Sequence, residues 1–254
     1  MGITVVHLHA RDAEGMPTHD PEVFARIIEA IRASHPELVI CVSLSGRHRN
    51  DFESRAAPLQ LEGAVKPDMA SLTLASMNFS RDASITTPDM VGRLAREMLV
   101  RGVAPELEVF DTGMVNYARF LAARGLLRGP FYFNLILGNA ASAQADPLTL
   151  GAMVSMLLQP NLWAAGGIGR AQTTAHALAL AAGGGVRTGL EDNLFLDRAR
   201  TTLATNVQLV RRAHQLAGAL ERSVMTSAEF RTVMGLGTGH GSYGRPPAEA
   251  PNCA

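Results

Sequence analysis

The sequence predicts an α/β fold in which helices cover a parallel sheet. Short apolar runs alternate with segments of helical periodicity through most of the 254 residues, which is typical of successive βα units. The apolar runs are continuous, as in residues 38–43, and this indicates strands that are buried on both faces. Three helices are predicted to begin at an N-capping residue followed by proline: Asp20-Pro21, Thr87-Pro88 and Asp146-Pro147.

The elements follow one another in a regular order along the chain. The β-branched run 3–6 predicts the first strand, and apolar residues at helical spacing between Val23 and Ile31 predict the helix after it. Seven strands are predicted, beginning near Ile3, Leu38, Met69, Pro105, Phe131, Leu162 and Gly184. Further helices are expected after 87, over 113–124, after 146 and over 171–182, with a last one from about 196 to 216. Residues 1–234 would form one barrel domain, and the glycine- and proline-rich residues 235–254 a flexible tail.

Seven strands leave two architectures open. A (β/α)₈ barrel requires eight strands. Either one strand is missing from this chain, or the sheet is open and doubly wound. In both architectures ligands bind at the carboxyl ends of the strands, so functional residues are expected there.

Composition excludes several classes of function. The 23 basic residues are balanced by 23 acidic ones, which argues against a nucleic-acid partner. Two cysteines, Cys41 and Cys253, are too few for a disulfide framework and favour a reducing compartment. Because the chain shows neither a signal peptide nor a run of about 18 apolar residues, we expect a soluble, cytoplasmic protein without a membrane partner.

Two histidines end the first predicted strand, and they are the strongest functional signal. His7 and His9 are two residues apart, so their side chains point to the same face of the strand. Glu191 ends the last predicted strand and supplies a carboxylate oxygen. Two imidazoles and one carboxylate form a catalytic zinc set with an open position for substrate. The alternatives are ordinary core or surface histidines, and an acidic helix N-terminus at Glu191-Asp192.

Two weaker signals lie at other strand ends. Gly167, Gly169 and Arg170 stand between the sixth predicted strand and a helix, where backbone N–H groups can bind a phosphate, although such a segment is as often a tight turn. Ser43 and Ser45 share one face of their strand and could hydrogen-bond a carboxylate, although serines at strand ends are often turn formers.

Several separated motifs together resemble the β-keto acid cleavage enzymes, a family that includes the 3-keto-5-aminohexanoate cleavage enzyme. The motifs are residues 7–12, 69–72, 76–79, 105–111, 167–170, Arg187 and 189–193, and the resemblance extends to about Met234. It implies a zinc-dependent (β/α)₈ barrel that converts a β-keto acid and acetyl-CoA to acetoacetate and a new acyl-CoA.

The resemblance also implies roles for individual residues. His7, His9 and Glu191 would bind Zn²⁺, while Asp192 would act as the base and Arg187 would bind and polarise the substrate. The substrate pocket would contain Ser43, Ser71 and Glu108. These assignments agree with chemistry in which a proton is removed from a carbon next to a carbonyl.

The resemblance accounts for the count of seven predicted strands instead of eight. Family members have a further strand and helix before the histidine strand, so we expect a barrel that lacks its first β-strand and helix. Because this leaves strand edges exposed, we also expect self-association. A truncated, non-catalytic homologue that binds metal or acyl-CoA is one alternative. A metal-dependent hydrolase is another, although it would need further histidines at later strand ends, and this sequence has none there.

Overall fold

The computed structural model describes residues 2–80, 82–237 and 243. In this part of the chain, seven strands form one parallel sheet: β1 (Val5–Leu8), β2 (Val39–Val42), β3 (Met69–Thr73), β6 (Ala104–Val109), β7 (Phe131–Leu137), β8 (Asn161–Gly167) and β9 (Gly185–Val186). The short strands β4 (Met77–Asn78) and β5 (Ala83–Ser84) pair with each other as a separate antiparallel hairpin. The predicted α/β fold with seven sheet strands is confirmed.

The order of the strands decides between the two predicted architectures. Neighbours in the sheet follow the chain, β1-β2-β3-β6-β7-β8-β9, without the reversal that defines a doubly wound sheet. The doubly wound alternative is therefore wrong. The sheet also curls, because His9 after β1 and Glu191 after β9 come within 3.6 Å of each other (Nε2 to Oε1). Within the described residues β1 pairs only with β2 and β9 only with β8, so the observed form is a curled seven-stranded sheet and a full barrel is not confirmed.

Eight α-helices are present in the described residues, and most lie on the convex face of the sheet. They are α1 (Pro21–Ser34), α2 (Phe52–Ala56), α3 (Pro88–Arg101), α4 (Thr112–Ala123), α5 (Pro147–Ser155), α6 (Gln172–Ala181), α7 (Asn206–Ala219) and α8 (Ser227–Met234). The three predicted caps are confirmed, since the side chains of Asp20, Thr87 and Asp146 each accept a hydrogen bond from a first-turn N–H. None of these helices combines the length and the apolar character that a membrane span requires.

The prediction of a last helix from about 196 to 216 is wrong at its beginning. Asp197 accepts hydrogen bonds from the N–H groups of Thr201 and Thr202, which stabilises a loop instead of a helical turn. The helix begins only after Thr205, which forms a capping box with Gln208.

The helix α8 was not predicted, and it covers the amino-terminal end of the concave face of the sheet. Its Phe230 packs edge-to-face on Tyr132 of β7, with the ring centroids 5.2 Å apart. Phe230 and Met234 join a separate apolar cluster with residues such as Met69 that point away from the outer helices. The concave face is therefore closed by apolar packing at one end and remains available for polar groups at the carboxyl end.

The predicted flexible tail, 235–254, lies mostly outside the described residues. Two of its described residues, Leu236 and Tyr243, are buried, and the Tyr243 hydroxyl accepts a hydrogen bond from the Arg128 N–H (2.8 Å). The domain boundary at 234 stays a prediction.

Candidate active site

His7 is held by a carboxylate on one side and leaves its other ring nitrogen without a partner. Its Nδ1 lies 2.6 Å from Oε2 of Glu106, and its buried Nε2 has no hydrogen-bond partner among the described residues. Burial lowers the pKa of His7, but the Glu106 carboxylate outweighs this effect, and the pKa is raised from its ordinary value. A carboxylate on Nδ1 is the arrangement that orients a metal-binding histidine, with Nε2 directed at the ion.

His9 stacks on His7, with the ring centroids 4.9 Å apart and the planes 19° from parallel. The structure therefore brings the two predicted histidines together. Burial, followed by the charge of His7, lowers the pKa of His9 to about 2, so that its imidazole is neutral and can act as a ligand. Its Nε2 is 3.6 Å from Oε1 of Glu191.

The predicted zinc set has suitable donor types, although its three ligand atoms do not all lie within 4.8 Å of one another in the described residues. An unpartnered Nε2 on His7, a neutral His9 and a partly exposed Glu191 carboxylate are nitrogen and oxygen ligands of the kind that zinc prefers. A second possible set consists of His7, Cys41 and Glu106, whose ligand atoms lie within 4.8 Å of one another. In that set Nδ1 of His7 already binds Glu106, and burial raises the pKa of the Cys41 thiol well above its usual value, which favours the protonated form.

Arg187 contacts three carboxylates, one of which, Glu106, also contacts His7. Its Nη1 lies 2.8 Å from Oε1 of Glu108 and 3.9 Å from Oε2 of Glu106, and its Nε donates to Oδ2 of Asp192 at 3.2 Å. Burial alone would lower the pKa of Arg187, but the carboxylates, Asp192 first, raise it well above its usual value. Three of the predicted site residues, Arg187, Asp192 and Glu108, therefore form one buried ion-pair network.

Glu106 is the site residue that sequence reasoning missed. It accepts hydrogen bonds from His7 and from Nδ2 of Asn134 (3.0 Å). Burial raises the pKa of Glu106, but His7 lowers it by more, and the resulting pKa is about 2. The signal was present, because Glu106 and Glu108 alternate in an otherwise apolar strand and so share one face of β6. A buried pair of this kind is costly unless both carboxylates have partners.

The predicted substrate serines differ in their surroundings. Ser43 lines an open cleft beside His9 and Glu191, together with Ser45. Ser71 instead is buried, and its hydroxyl accepts a hydrogen bond from the Leu44 N–H (3.0 Å), which connects β3 to the segment after β2.

The glycine segment after β8 packs against the loop that carries Glu191 and Asp192. The Gly169 N–H donates to the carbonyl oxygen of Asp192 (2.8 Å). A side chain on Gly167 would come within 2.6 Å of the Gln172 Cα, so this position has room only for glycine. Arg170 lies at a second cavity, whose lining includes three further arginines: Arg198, Arg200 and Arg212.

The fold and the site together define an α/β protein with a curled parallel sheet, whose polar groups gather at the carboxyl ends of the strands. The model of the beta-keto acid cleavage enzyme family matches residues 1–236. This chain belongs to that family, which confirms the resemblance seen in the sequence.

The most informative relatives are acetyl-CoA-dependent or keto acid-cleaving enzymes by name. A 3-oxoadipate:acetyl-CoA acetyltransferase of Cupriavidus necator is 37% identical over 238 residues, which cover 92% of this chain and 82% of that protein. A 3-keto-5-aminohexanoate cleavage enzyme of Fusobacterium nucleatum is 35% identical over 236 residues, covering 92% of this chain and 84% of the relative.

Among solved structures, ObcA in a ternary complex with a C4-CoA adduct and oxalate has a similar fold. The TM-score is 0.81 at 22% identity, and the match covers 92% of this chain and 64% of ObcA. This chain thus spans less than two thirds of ObcA, and the likeness concerns the fold alone.

Proposed function

We propose that this chain transfers an acyl group from a β-keto acid to CoA, so that the β-keto acid and acetyl-CoA become acetoacetate and a new acyl-CoA. The observation that carries the proposal is the buried Arg187–Asp192 ion pair beside two stacked histidines and Glu191. Membership of the cleavage-enzyme family supports it, as do relatives named for reactions with acetyl-CoA.

Zn²⁺ is the proposed cofactor, held by His7, His9 and Glu191. The unpartnered Nε2 of His7 and the neutral imidazole of His9 support this assignment. When bound there, the ion would supply a Lewis acid that polarises the keto oxygen of the substrate.

Asp192 is the proposed base. Its carboxylate is buried, with Oδ2 fixed by Nε of Arg187, so it is positioned to take a proton from the carbon between the carbonyl and the carboxylate. The resulting carbanion would attack the acetyl thioester and displace CoA as a thiolate, and this thiolate would attack the original keto carbon. Cleavage of the bond between that carbon and the former carbanion carbon would release the new acyl-CoA and the acetoacetate carbanion, to which the same carboxyl group would return its proton. Glu108 keeps Arg187 in place from the other side, and Arg187 would bind the substrate through its remaining N–H groups.

Each substrate would occupy its own part of the surface. We propose that the keto acid lies in the cleft that Ser43 lines. Ser71 and Glu108, which do not line this cleft themselves, are the further proposed substrate-binding residues. The phosphates of acetyl-CoA would bind beside Gly167, Gly169 and Arg170, where the arginines of the second cavity provide positive charge. We also expect a cytoplasmic location and self-association through the outer strands of the sheet.

The decisive experiment combines metal analysis with an assay of acetoacetate release from a β-keto acid and acetyl-CoA. The wild-type protein is expected to contain one zinc per chain and to turn over, whereas Glu191→Ala should lose both properties. Glu37→Ala, an exposed glutamate at the other end of the sheet, is the matched control and should retain both.

Other outcomes contradict separate parts of the proposal. Zinc without turnover would argue against catalysis and leave a metal-binding homologue. Turnover without zinc would remove the metal from the mechanism, and the absence of zinc from the wild-type protein would contradict the proposed ligand set.

A further inference from the structure

The open cleft beside Glu191 has more basic than acidic side chains in its lining. Two of them are arginines, Arg11 and Arg47. The one carboxylate that lines it is Glu191, which is a candidate metal ligand. This balance favours an anionic group in the cleft beyond the group that reacts.

Arg47 has an arrangement suited to binding an anion. Its guanidinium carbon lies 4.1 Å from the ring centroid of Phe79, and Phe79 in turn packs edge-to-face on Phe110 at 6.1 Å. The buried Nε of Arg47 has no hydrogen-bond partner, and no carboxylate of the described residues lies within 4.0 Å of the guanidinium. Stacking therefore fixes the plane of the guanidinium and leaves its edge, with the N–H donors, for a ligand.

A second arginine without a counter-ion lies beneath the same segment. Arg55 is fully buried and donates to the carbonyl oxygen of Leu44 (2.8 Å) and to the hydroxyl of Thr86 (3.3 Å). It forms no ion pair with any carboxylate in the described part of the chain, and burial lowers its pKa to about 10, so it remains charged at neutral pH. Glu108 offsets part of this charge from a distance, and the remainder raises the positive potential near the cleft.

His19 adds an uncharged polar group to the lining of the same cleft. Burial, with the charge of Arg55, lowers its pKa, and its buried Nδ1 has no partner in the described residues. An unsatisfied polar atom that lines a cleft is a candidate ligand contact.

On the basis of the proposed function, we infer that the substrate is a β-keto acid with a second carboxylate, whose distal carboxylate binds Arg47. The reacting carbon must lie near Asp192, which follows β9, whereas Arg47 follows β2, on the far side of His9. The two ends of one dicarboxylate would span this separation. The 3-oxoadipate named for the Cupriavidus relative is a keto acid of this class.

The test compares two keto acids of equal chain length that differ in the distal group, 3-oxoadipate and 3-oxohexanoate. The wild-type protein should prefer 3-oxoadipate in kcat/KM, and Arg47→Met should lower the ratio of the two kcat/KM values about 10- to 100-fold, the effect of losing a charged hydrogen bond. Arg47→Lys should restore part of the preference. Arg93→Met is the matched control: Arg93 also stacks on a phenylalanine, Phe52 at 4.0 Å, but it pairs with Glu53 and lies outside the cleft.

Two results would overturn the inference. The first is a wild-type preference for 3-oxohexanoate. The second is an equal loss of kcat/KM on both substrates in Arg47→Met, which would place Arg47 at the carboxylate that all β-keto acids share. Calorimetric binding of adipate and hexanoate separates this inference from the proposed function. If neither keto acid turns over but adipate binds more tightly than hexanoate only when Arg47 is present, the catalytic proposal fails and the dicarboxylate site stands. If adipate shows no such advantage, the dicarboxylate site fails as well.

Discussion

Two buried arginine–carboxylate networks lie at opposite ends of the sheet, and only the second lies at the carboxyl ends of the strands, where ligands bind in folds of this kind. At the amino-terminal end, Nη1 and Nη2 of Arg231 bind the two oxygens of Asp68 at 2.7 and 2.9 Å. The Arg231 Nε and Nη2 also donate to the carbonyls of Glu37 and Leu38. This arrangement connects α8 to the sheet, and both residues are buried.

At the carboxyl end, the network of Arg187, Glu106, Glu108 and Asp192 is equally buried, and two unpartnered polar atoms adjoin it. Nε2 of His7 and Oδ1 of Asn134 are buried atoms without a partner in the described residues. Native proteins satisfy most buried polar atoms, so the exceptions indicate positions where a ligand belongs. The comparison teaches that the first network serves stability, whereas the second is arranged for ligands.

The largest expected effect is on the amino-terminal network. Asp68→Ala would leave the Arg231 guanidinium buried without a counter-charge, which should lower the free energy of unfolding by about 3–5 kcal/mol. Urea denaturation followed by circular dichroism measures this change.

An exposed pair provides the control for that loss. Glu53→Ala removes a surface ion pair with Arg93 and should cost less than about 1 kcal/mol. Equal losses in the two variants would show that the buried network does not stabilise the docking of α8.

Glu106→Gln tests the network at the carboxyl end. The glutamine amide can still form a hydrogen bond to Nδ1 of His7, but it lacks the negative charge of the Glu106 carboxylate. His7 therefore becomes a weaker ligand, and zinc affinity should fall about 10- to 100-fold. Competition with a chelator measures the affinity, and Glu97→Gln, on the outer surface near Arg101, should leave it unchanged.

Cys41→Ala separates the two possible ligand sets. It should leave zinc affinity close to the wild-type value if the ion is bound by His7, His9 and Glu191. Loss of zinc from this variant would instead favour the set of His7, Cys41 and Glu106.

The parts of this molecule that were predictable from the sequence are those with local signals. The apolar runs gave the seven strands, and the pair of His7 and His9 at period two gave two stacked rings. Glu106 was missed because its partner, His7, is 99 residues away along the chain, and only the curled sheet brings them together. The capping box at Thr226 and Glu229 is a local signal for α8 that was present in the sequence, whereas its docking on the sheet depends on the distant pair of Arg231 and Asp68.

The smallest expected effect concerns the pH dependence of stability at the carboxyl end. His176 is fully buried and lies behind Arg187, with Nε2 2.7 Å from the Arg187 carbonyl oxygen and Nδ1 unpartnered. Burial lowers the pKa of His176 to about 4, from 6.5 in the unfolded chain. Between pH 6.5 and about 4 the unfolded chain therefore binds a proton that the folded chain does not, and stability should fall by about 1 kcal/mol from this group between pH 6.5 and 5.5. Denaturation of metal-free protein measures the free energy of unfolding at these two pH values, and the difference between them should be smaller in His176→Gln than in the wild type. His35 is an exposed histidine at the end of α1, and His35→Gln should show the same difference as the wild type. An unchanged difference in His176→Gln would mean that the ring behind Arg187 is accessible to protons in the folded state, and the carboxyl end would then be more open than its buried network indicates.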